Sequence, residues 1–216
     1  MSSDNLDQQL LDLCAEVLGK SVDCTAEKIQ ELIDAGANPH FVNRNGTSIL
    51  HHLSASSFCT KAMLAVLKNS GVTNFNVRDD HGRTPLMYNC AHNLAKNVQD
   101  LVELGASVDI LDKDGNSALH HFMLANPAKA GVNALRYLLD SGANINALND
   151  FGATPLHCLC ASRYCNQDLV HIAKQYGADL SLVDRLDRTP LHILCAYYAD
   201  LGSMKALTSG PAAYLN

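Results

Sequence analysis

The chain of 216 residues has no excess of basic charge: 16 Lys and Arg are set against 22 Asp and Glu, a formal net charge of -6 at pH 7. Nucleic-acid binders normally carry a basic patch or stripe, so this balance argues against that class. Long blocks of one sign are also missing, and the scattered charges read as solvated surface. The opening MSSDNLDQQLLDLC lacks a basic stretch followed by an apolar one and does not read as a secretory signal. The longest apolar run, ILCAYYA at 193–199, is far shorter than the roughly 18 residues a membrane helix needs. These absences predict a soluble, cytoplasmic protein that neither enters membranes nor binds nucleic acid. The signatures G-x-S-x-G, G-x-x-x-x-G-K-[ST] and H-E-x-x-H are absent too, which removes the common hydrolase, nucleotide and zinc-protease readings.

Cysteine is plentiful, at 14, 24, 59, 90, 158, 160, 165 and 195. An even count suggests disulfides in a short secreted chain. This chain has no export signal and is long enough, at 47% hydrophobic, to bury a core without staples. Reduced thiols are the expectation.

The stretch GATPLHCLCA at 152–161 returns as DRTPLHILCA at 187–196, GRTPLMYNCA at 82–91, GTSILHHLSA at 46–55 and GNSALHHFML at 115–124. From first residue to first residue the steps are 36, 33, 37 and 35. A second series, typified by LLDSGANI ending at Ile145, places glycines at 36, 71, 105, 142, 177 and 210, in the same register. Two series with one period identify a repeat architecture. Thr84-Pro85, Thr154-Pro155 and Thr189-Pro190 predict helix starts, since threonine caps an orphan N–H and proline at the first position loses nothing. Leu156, Leu159 and Cys160 follow with helical spacing. A second helix is expected to end at each glycine, and Asp, Asn and Gly then supply turn chemistry. One such pair cannot bury its apolar faces alone, so the units must stack.

The T-P-L-H and G-A-x-V/I-N elements, best met at 142–157 and well met at 177–192 and 71–86, resemble the ankyrin-repeat family. The resemblance implies an all-α solenoid of stacked helix-turn-helix units with extended turn tips. It spans a single array over 1–216, with units near 5–40 as an N-terminal cap, 41–77, 78–110, 111–147, 148–182 and an incomplete 183–216. Leu-Cys at 159–160 and 194–195, and Asn-Cys at 89–90, stand where the family has Ala-Ala. Extra residues fall between the helices, in SASSFCTK, LANPAKAGVN and ASRYCNQD, and predict longer loops there. The short PAAYLN after Gly210 reads either as a cap or as the edge of a longer protein.

Cys14, Cys90, Cys160 and Cys195 share one helical slot and read as small hydrophobes. The zinc alternative uses His157, Cys158, Cys160 and Cys165. Cys158 and Cys160, two apart on a helix, point to different faces, which disfavours it. His51, His120, His157 and His192 fill the last T-P-L-H position. In the resembled family that histidine bonds within the turn network. Composition alone leaves a Cys–His dyad open, with nothing pointing to one. No enzyme activity, cofactor or metal is expected.

In ankyrin-like arrays partners meet the turn tips and the exposed face of the first helices. Repeat alignment places the tips at Val42, Arg44 and Asn45; Arg78, Asp80 and His81; Leu111, Lys113 and Asp114; Leu148, Asp150 and Phe151; Val183, Arg185 and Leu186. Four of the five residues opening these tips are aliphatic. With Phe151 and Leu186 they predict an apolar ridge interleaved with Arg44, Arg78, Lys113 and Arg185, fit for an apolar protein segment with acidic residues. The alternative is that adjacent tips pack on one another. His92, Arg163, Tyr197 and Tyr198 predict a second contact surface, with Tyr197 and Tyr198 equally suited to covering the open end of the last unit. The expected protein is a monomeric, non-enzymatic adaptor. Its rivals are the recognition module of a larger enzyme, transcription regulator or bacterial effector, and a Cys/His metal or thiol enzyme. Asn146 resembles asparagines that are hydroxylated in ankyrin proteins.

Overall fold

The computed structural model describes residues 3–16, 24–92, 95–125, 131–197 and 201–208. Tyr198, Gly210 and the PAAYLN segment lie outside them. Helices alternate along the described chain. The first helix of each unit is α1 (Ser3–Glu16), α3 (Ile49–Ser54), α5 (Pro85–Ala91), α7 (Ala118–Leu124), α9 (Pro155–Ala161) or α11 (Pro190–Tyr197). The second is α2 (Ala26–Asp34), α4 (Lys61–Asn69), α6 (Ala95–Glu103), α8 (Gly131–Asp140), α10 (Gln167–Gln175) or α12 (Leu201–Thr208). The described residues hold no strand beyond one isolated antiparallel bridge, Val42 to Ser48. The fold is an all-α array.

Local chemistry starts and stops these helices. The Thr154 hydroxyl accepts from the His157 N–H at 3.3 Å, and Pro155 occupies the first turn of α9. Thr25, Thr60 and Thr84 cap α2, α4 and α5 in the same way. At the end of α8, Gly142 takes φ 95°, a conformation that favours glycine. The Gly142 N–H then bonds the Leu139 carbonyl, and Ala143 N–H bonds Leu138, which satisfies two orphan acceptors of the helix end.

The first helices pack each on the next, α1 on α3 through to α9 on α11. The second helices form a parallel layer, with contacts α2 to α4, α6 to α8, α8 to α10 and α10 to α12. One continuous core lies between the layers. Leu53, Leu86, Leu119, Phe122 and Leu159 enter it from the first helices, and Leu64, Leu101, Leu135 and Leu169 from the second. Each buried leucine contributes roughly 1.5–3 kcal/mol.

Cys14, Cys90 and Cys160 are buried at the helix interfaces, as small apolar side chains would be. Cys195, expected in the same slot, is exposed instead. Among the described first helices α11 is packed by α9 alone, so no further described first helix lies across this face. Burial pushes the Cys158 thiol up to about 12 and raises Cys90 further. These thiols stay protonated and inert. The described residues contain no group of three or more His, Cys, Asp or Glu able to hold a metal ion. None of their helices is long and apolar enough to cross a membrane.

Candidate interaction surface

Five turn tips repeat one hydrogen-bond pattern. Each opens on Asn43, Asp79, Asp112, Asn149 or Asp184, whose side-chain oxygen accepts two backbone N–H groups, two and four residues on. The same residue's N–H bonds the carbonyl four positions later, closing a tight hairpin. A residue with positive φ follows, glycine in four tips and Asp187 at φ 55° in the fifth. Neighbouring tips are then tied together. The N–H groups of Asp80, Lys113, Asp150 and Arg185 donate to the carbonyls of Asn45, His81, Asp114 and Phe151 in the preceding tip, at 2.9–3.0 Å.

Carboxylates at the tip bases are consumed locally. Burial opposes ionisation of Asp79, but hydrogen bonds from Arg83 and Tyr88 outweigh it and hold the carboxyl below the usual carboxylate range. Asp112 is held down, against the same opposition, by the Asn116 N–H and by His121 at 2.8 Å. Asp184 answers in the same way to Arg188.

Histidines join the tips to the helices. Thr154 N–H donates to His157 Nδ1 at 3.1 Å, so that nitrogen carries no proton. The proton therefore sits on Nε2, which donates to the Arg188 carbonyl of the next hairpin at 2.9 Å. His51 bridges Ser48 to Arg83, and His120 bridges Ser117 to Ala153, by the same bonds. His192 keeps its own-unit bonds to Thr189 but is exposed. The imidazoles of His51, His120 and His157 are structural couplers between units.

Every described residue expected at the surface is exposed, across all five tips and at His92, Arg163 and Tyr197; Tyr198 lies outside the described residues. Val42, Leu111, Leu148 and Val183 are 42–51% exposed, and Phe151 and Leu186 reach 62% and 69%. About half of each aliphatic side chain is therefore left uncovered by adjacent tips, which are tied through backbone bonds and through the Asn149 amide donating to Asn116. Arg78 has a double role: its guanidinium donates to the Gly82 and Leu111 carbonyls, clamping two tips while it stays exposed. Phe151, Arg185 and Leu186 come together at a groove of about 380 Å³, floored by Leu124, Cys158, Ala161 and Ile193 of the first helices. Val42, Arg44 and Asn45 line a separate open depression with Gln8 and Phe41. The remaining expected residues are more dispersed. His92 stacks on Tyr88, the Arg163 guanidinium lies 4.9 Å over the Tyr164 ring, and Tyr197 bonds Arg188 near the groove.

Two exposed apolar side chains escaped sequence reasoning, Leu124 at 50% and Phe58 at 56%. Leu124 carried a signal: it stands where the aligned copies have Ala55, Ala91, Ala161 and Ala196. Phe58 sits in an insertion between helices, where the period gives no template. The Asn146 amide, singled out for modification, bridges units by donating to the Gly177 carbonyl and accepting from the Asp179 N–H.

The family profile described as ankyrin repeats, in three copies, matches residues 18–112, 90–165 and 122–211. An ankyrin repeat protein, OPG189, of variola virus is 31% identical over 113 residues, 51% of this chain and 19% of the viral protein. The B-cell lymphoma 3 protein homolog of Mus musculus is 33% identical over 136 residues, 61% of this chain and 29% of its own length. A palmitoyltransferase of Saccharomyces cerevisiae is 32% identical over 117 residues, 53% of this chain and 15% of the enzyme. The chain thus spans less than a third of each of these curated relatives. Ankyrin repeats are protein-interaction modules, and stacked helical pairs joined by hydrogen-bonded tips are what their sequence pattern encodes. The chain belongs to the ankyrin-repeat family.

Proposed function

We propose that the chain is a non-enzymatic protein-binding array, a monomer acting in the cytoplasm. Its units begin near residues 5, 41, 78, 111, 148 and 183, the first a cap, and it seats an apolar partner segment along the tips and in the Phe151–Leu186 groove. The observation that carries this reading is the half-exposed aliphatic row of Val42, Leu111, Leu148 and Val183 on tips whose backbones are locked to one another. Exposed apolar rows of this kind mark interaction surfaces. Arg44, Lys113 and Arg185 alternate with the row and suit acidic residues flanking the apolar segment. Replacing Leu111 and Leu148 together with Asp should abolish capture of the partner from the source cell, with the thermal midpoint nearly unchanged. Capture that survives the double substitution would move the site off the ridge.

A second reading treats the array as the recognition module of a larger protein. It is favoured by the 15–29% of their lengths that the chain spans in the mouse and yeast relatives, one of which is named as an enzyme. The full reading frame decides between the two, and the ridge test applies to either.

A further inference from the structure

Three positions that break the repeat meet at one place. Leu124 closes α7 where the aligned copies have Ala55, Ala91, Ala161 and Ala196. Phe151 and Leu186 hold a tip position that is Asn45, His81 or Asp114 in the other tips. Far apart in sequence, all three line the groove of about 380 Å³ floored by Cys158 and Ile193, and each is at least half exposed. Single apolar residues on a surface need no explanation, but a cluster lining a concavity marks a binding place. Three charged side chains line the same groove. Asp184 is buried and holds Arg188 at 2.7 Å, so these two charges cancel. The Arg185 guanidinium makes no hydrogen bond or ion pair among the described residues, while its backbone N–H is fixed to the Phe151 carbonyl at 2.9 Å. Asp150 and Asp187 are exposed on the same tips but do not line the groove. The site is an apolar hollow with one exposed, uncommitted cation. Its volume lies at the low end of the roughly 300–1,000 Å³ of ligand pockets, which suits one large side chain.

We propose that the groove is an anchor socket for one aromatic or leucine side chain of a partner protein, with an Asp or Glu within two residues of the anchor paired to Arg185. Leu124 forms the wall that limits the size of the anchor. The proposal rests on the protein-binding reading above and names the partner's chemistry at one point of it. The anchor leaves water against Leu124, Phe151 and Leu186, which supplies most of the affinity. An aromatic anchor adds a ring contact with Phe151. The carboxylate contributes less energy, because its pair with Arg185 stays exposed, and more selectivity, because a basic neighbour is repelled.

A phage-displayed library of random twelve-residue peptides, selected on the full 216-residue chain, tests this. Enriched sequences should share one aromatic residue or leucine with an acidic residue one or two positions away. For the most enriched peptide, Leu186→Ser should raise Kd at least about tenfold. Arg185→Glu should raise it about two- to fivefold. Selection repeated on Arg185→Glu should exchange the acidic neighbour for Lys or Arg, and on Leu124→Ala should move the anchor towards Trp. Circular dichroism melts check each variant's fold, and Phe151→Ser replaces Leu186→Ser if the latter melts early. Enrichment without a shared anchor, an acidic neighbour retained on Arg185→Glu, or a Kd unmoved by Leu186→Ser overturns the socket. Peptides lost in the Leu111/Leu148 double variant but kept by Leu186→Ser would leave the tip row standing and remove the socket alone. Peptides weakened by neither would count against both.

Discussion

A Cβ added at Gly115 would meet the Asp150 backbone nitrogen at 2.8 Å, whereas one added at Gly177 would meet nothing within 4 Å. Their φ values, 75° and 81°, are nearly matched. Gly177→Ala therefore measures left-handed strain alone, about 1 kcal/mol. Gly115→Ala should cost at least about 1 kcal/mol more, because the next tip's backbone must move. Urea midpoints of the two variants check this, and equal costs would mean that the tips yield freely. The buried histidines make a pH prediction. Burial lowers the pKa of His51, His52, His120 and His157 below the ordinary value near 6.5. The unfolded chain therefore takes up these protons first as pH falls. Their contribution to stability should be complete above about pH 7 and decline below about 6.5. Asp79, Asp112 and Asp184, held low in the fold, should add a second loss near pH 4 and below. Denaturant titrations between pH 8 and 3.5 would show two steps. The structural role of these histidines was legible in T-P-L-H. Their acceptors, 31–33 residues further on, were not, because no local pattern names a carbonyl that distant.

Among the helices α5 is the odd element. Met87 stands where α3, α7, α9 and α11 place histidine, and the Thr84 N–H faces its sulfur at 3.4 Å. The Asn116 carbonyl occupies the place that Arg83, Ala153 and Arg188 hold as acceptors elsewhere. Met87→His should restore both bonds and raise stability by about 1 kcal/mol, read from chemical denaturation. A lower midpoint would show that lost apolar volume outweighs the two bonds. The helices and their caps were readable because threonine, proline and glycine act within a turn of where they stand. Cys195 was misread because sequence identity of a slot says nothing about whether a neighbour lies across it. Leu124 was overlooked for the complementary reason: its meaning comes from four alanines in other copies rather than from its own surroundings.

Among the described first helices, α3, α5, α7 and α9 are packed by one on both sides, and α11 by one on a single side. Amide exchange should be slowest at 50–54, 86–90, 119–123 and 156–160 and faster in α11. Uniform protection from end to end would mean that the units unfold as one. The array was legible because its period is long, regular and doubly marked. The groove was only half legible: Phe151 and Leu186 announced themselves at the tips, while its floor depends on which residues three first helices turn to the same side. The hydrogen bonds running from tip to tip have one further consequence. A partner seated at Leu111 or Leu148, as proposed, would find the chain beneath them already immobilised, so the loss of freedom on association would fall on the partner. A variant that loosens one tip without touching an exposed side chain would then weaken binding through a faster departure, as a change in entropy rather than in contact.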